Sequence, residues 1–285
     1  MMQRITGIAF LSLAAGLAPL AAEDALTPAK RELRESLSFS VNNLGLQNAL
    51  ELRWNWRLND SERPLRKDAH FSTGLSHIVT PAYTRLGAWV ELAPLSILQV
   101  RVGAEPGYYF GSFDSLMGYD GYGEAFDTRV RAARQGQSAA GFASRVYVSP
   151  TLKLRVGRFV AATSADFEWW KSNAPGPLFY EPLRDTLLKV SGDRLLATQS
   201  VLLRETDTAR GGKLSYGLIH QLTTVPAAPL NRSQRIGVLA IREYAGKRFG
   251  LDHPRLVGHV SYYLDDRSKQ GQIGAALALS FKVSG

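Results

Sequence analysis

Residues 50–58 read LELRWNWRL, with Leu50, Leu52, Trp54, Trp56 and Leu58 alternating against Glu51, Arg53, Asn55 and Arg57. Successive side chains of a strand point to opposite faces, so this segment presents one apolar and one polar side. A helix would scatter the same residues around its circumference. The pattern recurs at 36–42, where Leu37, Phe39 and Val41 interleave with serines, and again at 85–92, 98–105, 140–148, 152–157 and 272–281. The polar faces carry charge, and they also keep Gly and Ala.

Two architectures alternate in this way. A soluble sandwich turns its apolar face inward over strands of about five or six residues. The runs seen here approach the roughly 9–11 residues that cross a bilayer at a tilt. Trp54, Trp56, Tyr262 and Phe281 also fall near the ends of their apolar faces, where an aromatic girdle would lie. The apolar side is therefore expected to face lipid and the charged side a lumen. No stretch beyond residue 22 is apolar and uncharged for long enough to span as a helix, which excludes a helical membrane protein.

The connections point the same way. Short turns are expected at Pro94–Leu95 and Pro150–Thr151, and long loops at 106–138 and 164–184. Two long loops separated by one hairpin must emerge on the same side. Thirteen candidate strands can be marked between residues 35 and 282. Bacterial barrels close on an even number, and 185–191 is the shortest and most mixed candidate, so twelve strands are expected, with ten or fourteen as the alternatives. Dropping 185–191 leaves the Pro-containing segment 224–233 as an outside loop.

The N-terminus sets a location. Residues 1–22 carry one cation, Arg4, then an apolar run from Ile8 to Leu20 that ends in Ala21 and Ala22, the layout of a secretory signal. The expected organisation is a signal peptide at 1–22, a periplasmic N-terminal segment at 23–34 and an outer-membrane β-barrel at 35–285. Together the signal peptide, the alternating strands, the loop asymmetry and a terminal strand with Phe281 resemble the outer-membrane β-barrels of Gram-negative bacteria as a class. That resemblance implies an all-β antiparallel transmembrane barrel, contact with outer-membrane lipid and handling by the outer-membrane assembly machinery. KVSG after Phe281 departs from the terminal aromatic residue common in that class.

Little chemistry can be read from motifs. The chain has no cysteine, so disulfides, thiolate metal sites and cysteine nucleophiles are excluded. His70, His77, His220, His253 and His259 form no HExxH pair, GxSxG is absent, and Ser76 and His77 point to opposite faces of one strand. No catalytic residue, metal or cofactor is assigned. The aromatic segments 107–123 and 165–184 either stack on sugar rings or pack a loop into the barrel mouth, and Arg129, Arg131 and Arg134 either line a constriction or sit in solvent. A formal charge of +9 without a basic stripe on an outer surface gives no nucleic-acid reading.

The lumen faces place Arg53, Arg57, Arg85, Arg101, Arg145, Lys153 and Arg155 against Glu51, Glu91 and Glu105. An open lumen so lined favours anions. The expected function is a monomeric porin-like channel for small anions or acidic sugars. The alternatives are a closed structural or ligand-binding barrel, in which these cations pair with carboxylates, and a lipid-modifying enzyme.

Overall fold

The computed structural model describes residues 30–42, 45–209 and 211–283. Twelve long strands make one antiparallel sheet closed on itself. They are β1 (Lys30–Val41), β2 (Gly45–Arg57), β3 (His70–Val79), β4 (Tyr83–Leu95), β5 (Leu98–Phe110) and β6 (Ala140–Val156). The second half comprises β7 (Phe159–Ser172), β8 (Asp193–Asp207), β9 (Lys213–Val225), β10 (Ala228–Glu243), β11 (Leu251–Asp266) and β12 (Ile273–Lys282). Each pairs with its sequence neighbours, and β1 meets β12 from Arg34↔Lys282 to Val41↔Ala275. Closure matters because hydrocarbon offers no partner to an unpaired backbone group.

The pleat decides which residues face where. Along β4, Tyr83, Arg85, Gly87, Trp89 and Glu91 are buried while Leu86, Ala88, Val90 and Leu92 are exposed. The same inversion holds around the ring, with Leu37, Leu75, Val102, Leu218 and Leu277 exposed on the outer wall. An apolar exterior over a charged interior is the transmembrane barrel arrangement. Aromatic residues band both ends of that exterior. Trp56 and Phe71 lie 5.6 Å apart near the end holding the termini, and Tyr108 and Phe142 lie 5.1 Å apart near the other.

Glycines on the lumen face have a packing reason. A Cβ at Gly74 would lie 2.3 Å from the Trp89 ring, and one at Gly103 2.5 Å from the Tyr147 hydroxyl. Both rings lie over bare backbone inside the barrel.

The end holding the termini carries short turns at 96–97, 157–158, 208–212 and 244–250, and one longer connection at 58–69. The opposite end carries the loops 111–139 and 173–192 and short turns at 80–82, 226–227 and 267–272. In outer-membrane barrels the termini face the periplasm, so the two long loops are external.

Several boundaries differ from the sequence reading. β6 runs straight through Pro150 and turns only at Gly157, whose φ of 57° suits the reversal. Pro150 is tolerated because the β6–β7 ladder lapses at residues 149–150 and resumes in the same register at Thr151↔Ser164. Pro94 lies in β4, beside a register shift between Leu92 and Leu95, and the turn falls at 96–97. The expected loop at 224–233 is a two-residue turn, since strand pairing shifts register at Val225↔Ala228 and continues. The segment 185–191 is not a strand of the barrel wall, as expected, and contributes a short strand, Thr186–Lys189, to a separate sheet. β1 begins at Lys30, inside the segment assigned to the periplasm. The proposed signal peptide at 1–22 lies outside the described residues.

Candidate functional site

The two external loops fold into the barrel instead of standing above it. Gly118–Tyr119, Leu178–Glu181 and Thr186–Lys189 form a three-stranded sheet. One apolar group joins Met117, Tyr119, Phe126, Leu178, Tyr180 and Leu187 within the loops. A second joins Leu116, Phe179 and Leu188 to the wall residues Tyr83, Tyr109, Trp170 and Leu195. Both aromatic segments thus pack, while Phe167 and Trp169 belong to the lipid face of β7 and are exposed. Asp127 caps the short helix Thr128–Ala133, accepting from the amides of Arg129 at 2.8 Å and Val130 at 3.0 Å. That helix presents Arg131 inward, and Arg129 remains exposed.

Charged groups tie this roof to the wall. Glu181 accepts from the Arg85 guanidinium, from the Tyr109 hydroxyl at 3.0 Å and from the Arg184 amide at 2.7 Å. Arg85 is 1% exposed and lies between the rings of Tyr83 at 4.2 Å and Trp170 at 4.9 Å. Arg184 reaches Glu168 and, at 2.9 Å, Asp166. Asp185 holds Arg131 at 3.6 Å, Lys269 of the last external turn, and the Tyr180 hydroxyl at 2.6 Å. Burial pushes the Tyr180 phenol above its usual range, which keeps it the donor in that bond.

All seven predicted cations lie on the lumen parity of their strands. Arg53 pairs with Glu91, and Arg101 with Glu91 at 2.9 Å and Glu51 at 3.2 Å. His70 adds a contact to Glu91 at 3.1 Å, and Arg101 stacks on Trp89 at 4.0 Å. Arg145 grips Glu105 through two bonds of 2.8 and 3.0 Å and Glu168 through one of 2.6 Å. Arg85 pairs with Glu181 as above, and Arg155 with Glu205 at the inner rim. Arg57 sits at that rim 3.9 Å from Asp60, and Lys153 donates to Gln99 at 3.0 Å.

Sequence reasoning missed Asp166, Glu168, Glu181, Arg184 and Glu205. Asp166, Glu168 and Trp170 alternate with Phe167 and Trp169, so the period of two continues to Ser172, inside the loop expected at 164–184. With Arg184 and these four carboxylates added, eight cations face seven carboxylates, so the excess read from the sequence shrinks from four to one.

The opposite wall differs. Leu203, Ile219, Leu239 and Ile241 face inward from β8, β9 and β10 and pack together, with Val201 and Val257 against them. Above them, beneath the roof, is a cavity of about 990 Å³. Its lining mixes neutral hydrogen-bonding groups such as Ser38, Gln47, Gln199 and Thr223 with apolar ones such as Leu46 and Leu183, and carries Arg131, Arg184 and Arg235 beside Asp114, Asp166 and Asp185.

No protein-family model matches the chain, and no curated protein does. Solved structures similar to it include the β domain of the Bordetella autotransporter BrkA, 13% identical with a TM-score of 0.43, covering 91% of this chain and 100% of that one. OmpT, an outer membrane protein of Vibrio cholerae, is 9% identical with a TM-score of 0.35, covering 91% and 99%. A mutant Rh. blastica porin is 11% identical with a TM-score of 0.23, covering 91% and 100%. These likenesses are too slight to carry residues or activities across. The chain's own closed twelve-stranded sheet and apolar exterior make it a transmembrane β-barrel of the outer-membrane class.

Proposed function

We propose that this barrel is a roofed chamber that receives a small polar solute from the external side, and is not a free-diffusion anion pore. The pairing of the lumen cations carries the reading. Arg53, Arg85, Arg101 and Arg145, which an anion path would need free, each contact at least one carboxylate. Charges satisfied in this way hold the wall in one arrangement and offer little field to a passing ion. The cavity in the outer half includes in its lining hydroxyl and amide groups suited to hydrogen-bonding a solute.

The test combines two measurements on the refolded full chain. Planar bilayer recordings should show no steady anion-selective current. A cysteine placed at Ala276, on the cavity wall of a chain with no other cysteine, should react with a membrane-impermeant thiol reagent added from the external side. A steady porin-sized anion current, or an Ala276→Cys that the reagent does not reach, would overturn the chamber.

A further inference from the structure

The three cations of the cavity wall are not equivalent. Arg131 is held by Asp114 at 3.0 Å and by Asp185, and Arg184 by Asp166 and Glu168. Arg235 contacts the Tyr263 hydroxyl at 3.2 Å, and among the described residues no carboxylate pairs with it. The Tyr263 hydroxyl donates its own proton to the Asn42 carbonyl at 2.6 Å, so toward Arg235 it is an acceptor. Its ring, 5.6 Å from the guanidinium carbon, steadies the cation without neutralising it. A guanidinium has five N–H donors in a fixed fork, and most of these are still to be used.

A neutral group lies directly across the ladder. Register places Gln221 of β9 opposite Arg235 of β10, and both line the cavity. The Gln221 amide nitrogen donates to Gln199 at 2.9 Å, while its Oε1 is buried with no partner. Gln221 thus brings no charge to Arg235, and the guanidinium facing the cavity asks for an anionic acceptor.

We infer that Arg235 forms the anchor of this chamber for a small hydroxylated carboxylate, the carboxylate on the guanidinium and its hydroxyls on the polar groups of the same wall. The inference rests on the chamber reading and gives it a ligand class. A carboxylate matches the planar fork of arginine with two parallel bonds. A neutral polyol would leave Arg235 unpaired. Gln199, Thr223 and Ser233 on the same wall offer hydrogen bonds to the remaining hydroxyls.

The experiment titrates the refolded full chain in detergent with D-glucuronate and with D-glucose by calorimetry. Glucuronate should bind at least ten-fold more tightly than glucose. Arg235→Gln should weaken glucuronate at least ten-fold. Gln221→Glu, which sets a carboxylate against Arg235 with almost no change of shape, should do the same. Arg129→Gln, on the exposed side of the short helix, should change nothing. Heat-modifiable gel mobility confirms that each variant is a closed barrel. Equal affinity for the two sugars, or unchanged glucuronate affinity in both wall variants, would overturn the anchor and leave the chamber standing. Failure of glucuronate to bind a protein whose Ala276→Cys is still labelled from outside would also overturn the anchor alone, whereas loss of that labelling counts against the chamber itself.

Discussion

Arg85 shows how much one residue of this wall depends on its partners. Its side chain is enclosed by Tyr83, Tyr109 and Trp170, two of its three nitrogens have no hydrogen-bond partner, and the third meets Glu181 and Tyr109. Removing one member of a buried ion pair costs about 3–5 kcal/mol, because the other charge is left without compensation. Glu181→Ala should therefore lower urea stability of the folded barrel by that order. A double replacement, Arg85→Met with Glu181→Leu, should lose much less. Gly74 offers a second test at this scale. Any Cβ there collides with the Trp89 ring and with the Leu52 carbonyl oxygen at 2.7 Å, so Gly74→Val should cost about 1–3 kcal/mol in the same assay. Neither dependence was legible beforehand. Arg85 and Gly74 could be assigned to the lumen by parity, but their partners come from a loop and from a neighbouring strand whose register no single segment encodes.

At the scale of strands the sequence was far more informative, because a period of two survives translation into structure without any knowledge of partners. The faces of β4 and β5 read from alternation agree with the pattern of exposed and enclosed side chains. What alternation does not encode is where a strand stops. Pro94 and Pro150 read as punctuation, yet both fall where the ladder has a shift or a gap, and the strands continue past them. The five tryptophans turn the face assignment into a measurement. Trp54, Trp56 and Trp169 lie on the outer parity, whereas Trp89 and Trp170 are enclosed at 4% and 2% exposure. Brominated lipid should quench single-tryptophan variants retaining one of the first three, and leave those retaining Trp89 or Trp170 unchanged. Leu75→Arg, near the middle of β3 on the lipid face, should cost about 2–4 kcal/mol. A harmless Leu75→Arg would mean that this wall does not meet hydrocarbon.

For the molecule as a whole, the decisive event is the inward folding of two loops that composition alone left open between stacking and packing. Once they are inside, they bring Glu181, Arg184 and Asp185 to the wall and roof a cavity in the outer half. Replacing residues 175–190 by a short glycine-serine turn removes Glu181 from Arg85 and Asp185 from Lys269. The shortened barrel should conduct in bilayers where the full chain does not, and a shortened barrel that stays silent would show that the inner wall alone closes the path. The roof is also fastened late in the chain. Arg267 donates to the carbonyls of Tyr122 and Gly123, and Lys269 meets Asp185, so both loops are gripped by the turn between β11 and β12. Synthesis delivers that turn last, after every other hairpin. Docking of that hairpin is what fastens the roof, and a barrel caught before it docks has walls but no lid. Protease protection of residues 173–192 should accordingly lag behind that of the 96–97 and 157–158 turns during assembly, which makes the roof a built-in timer of completion.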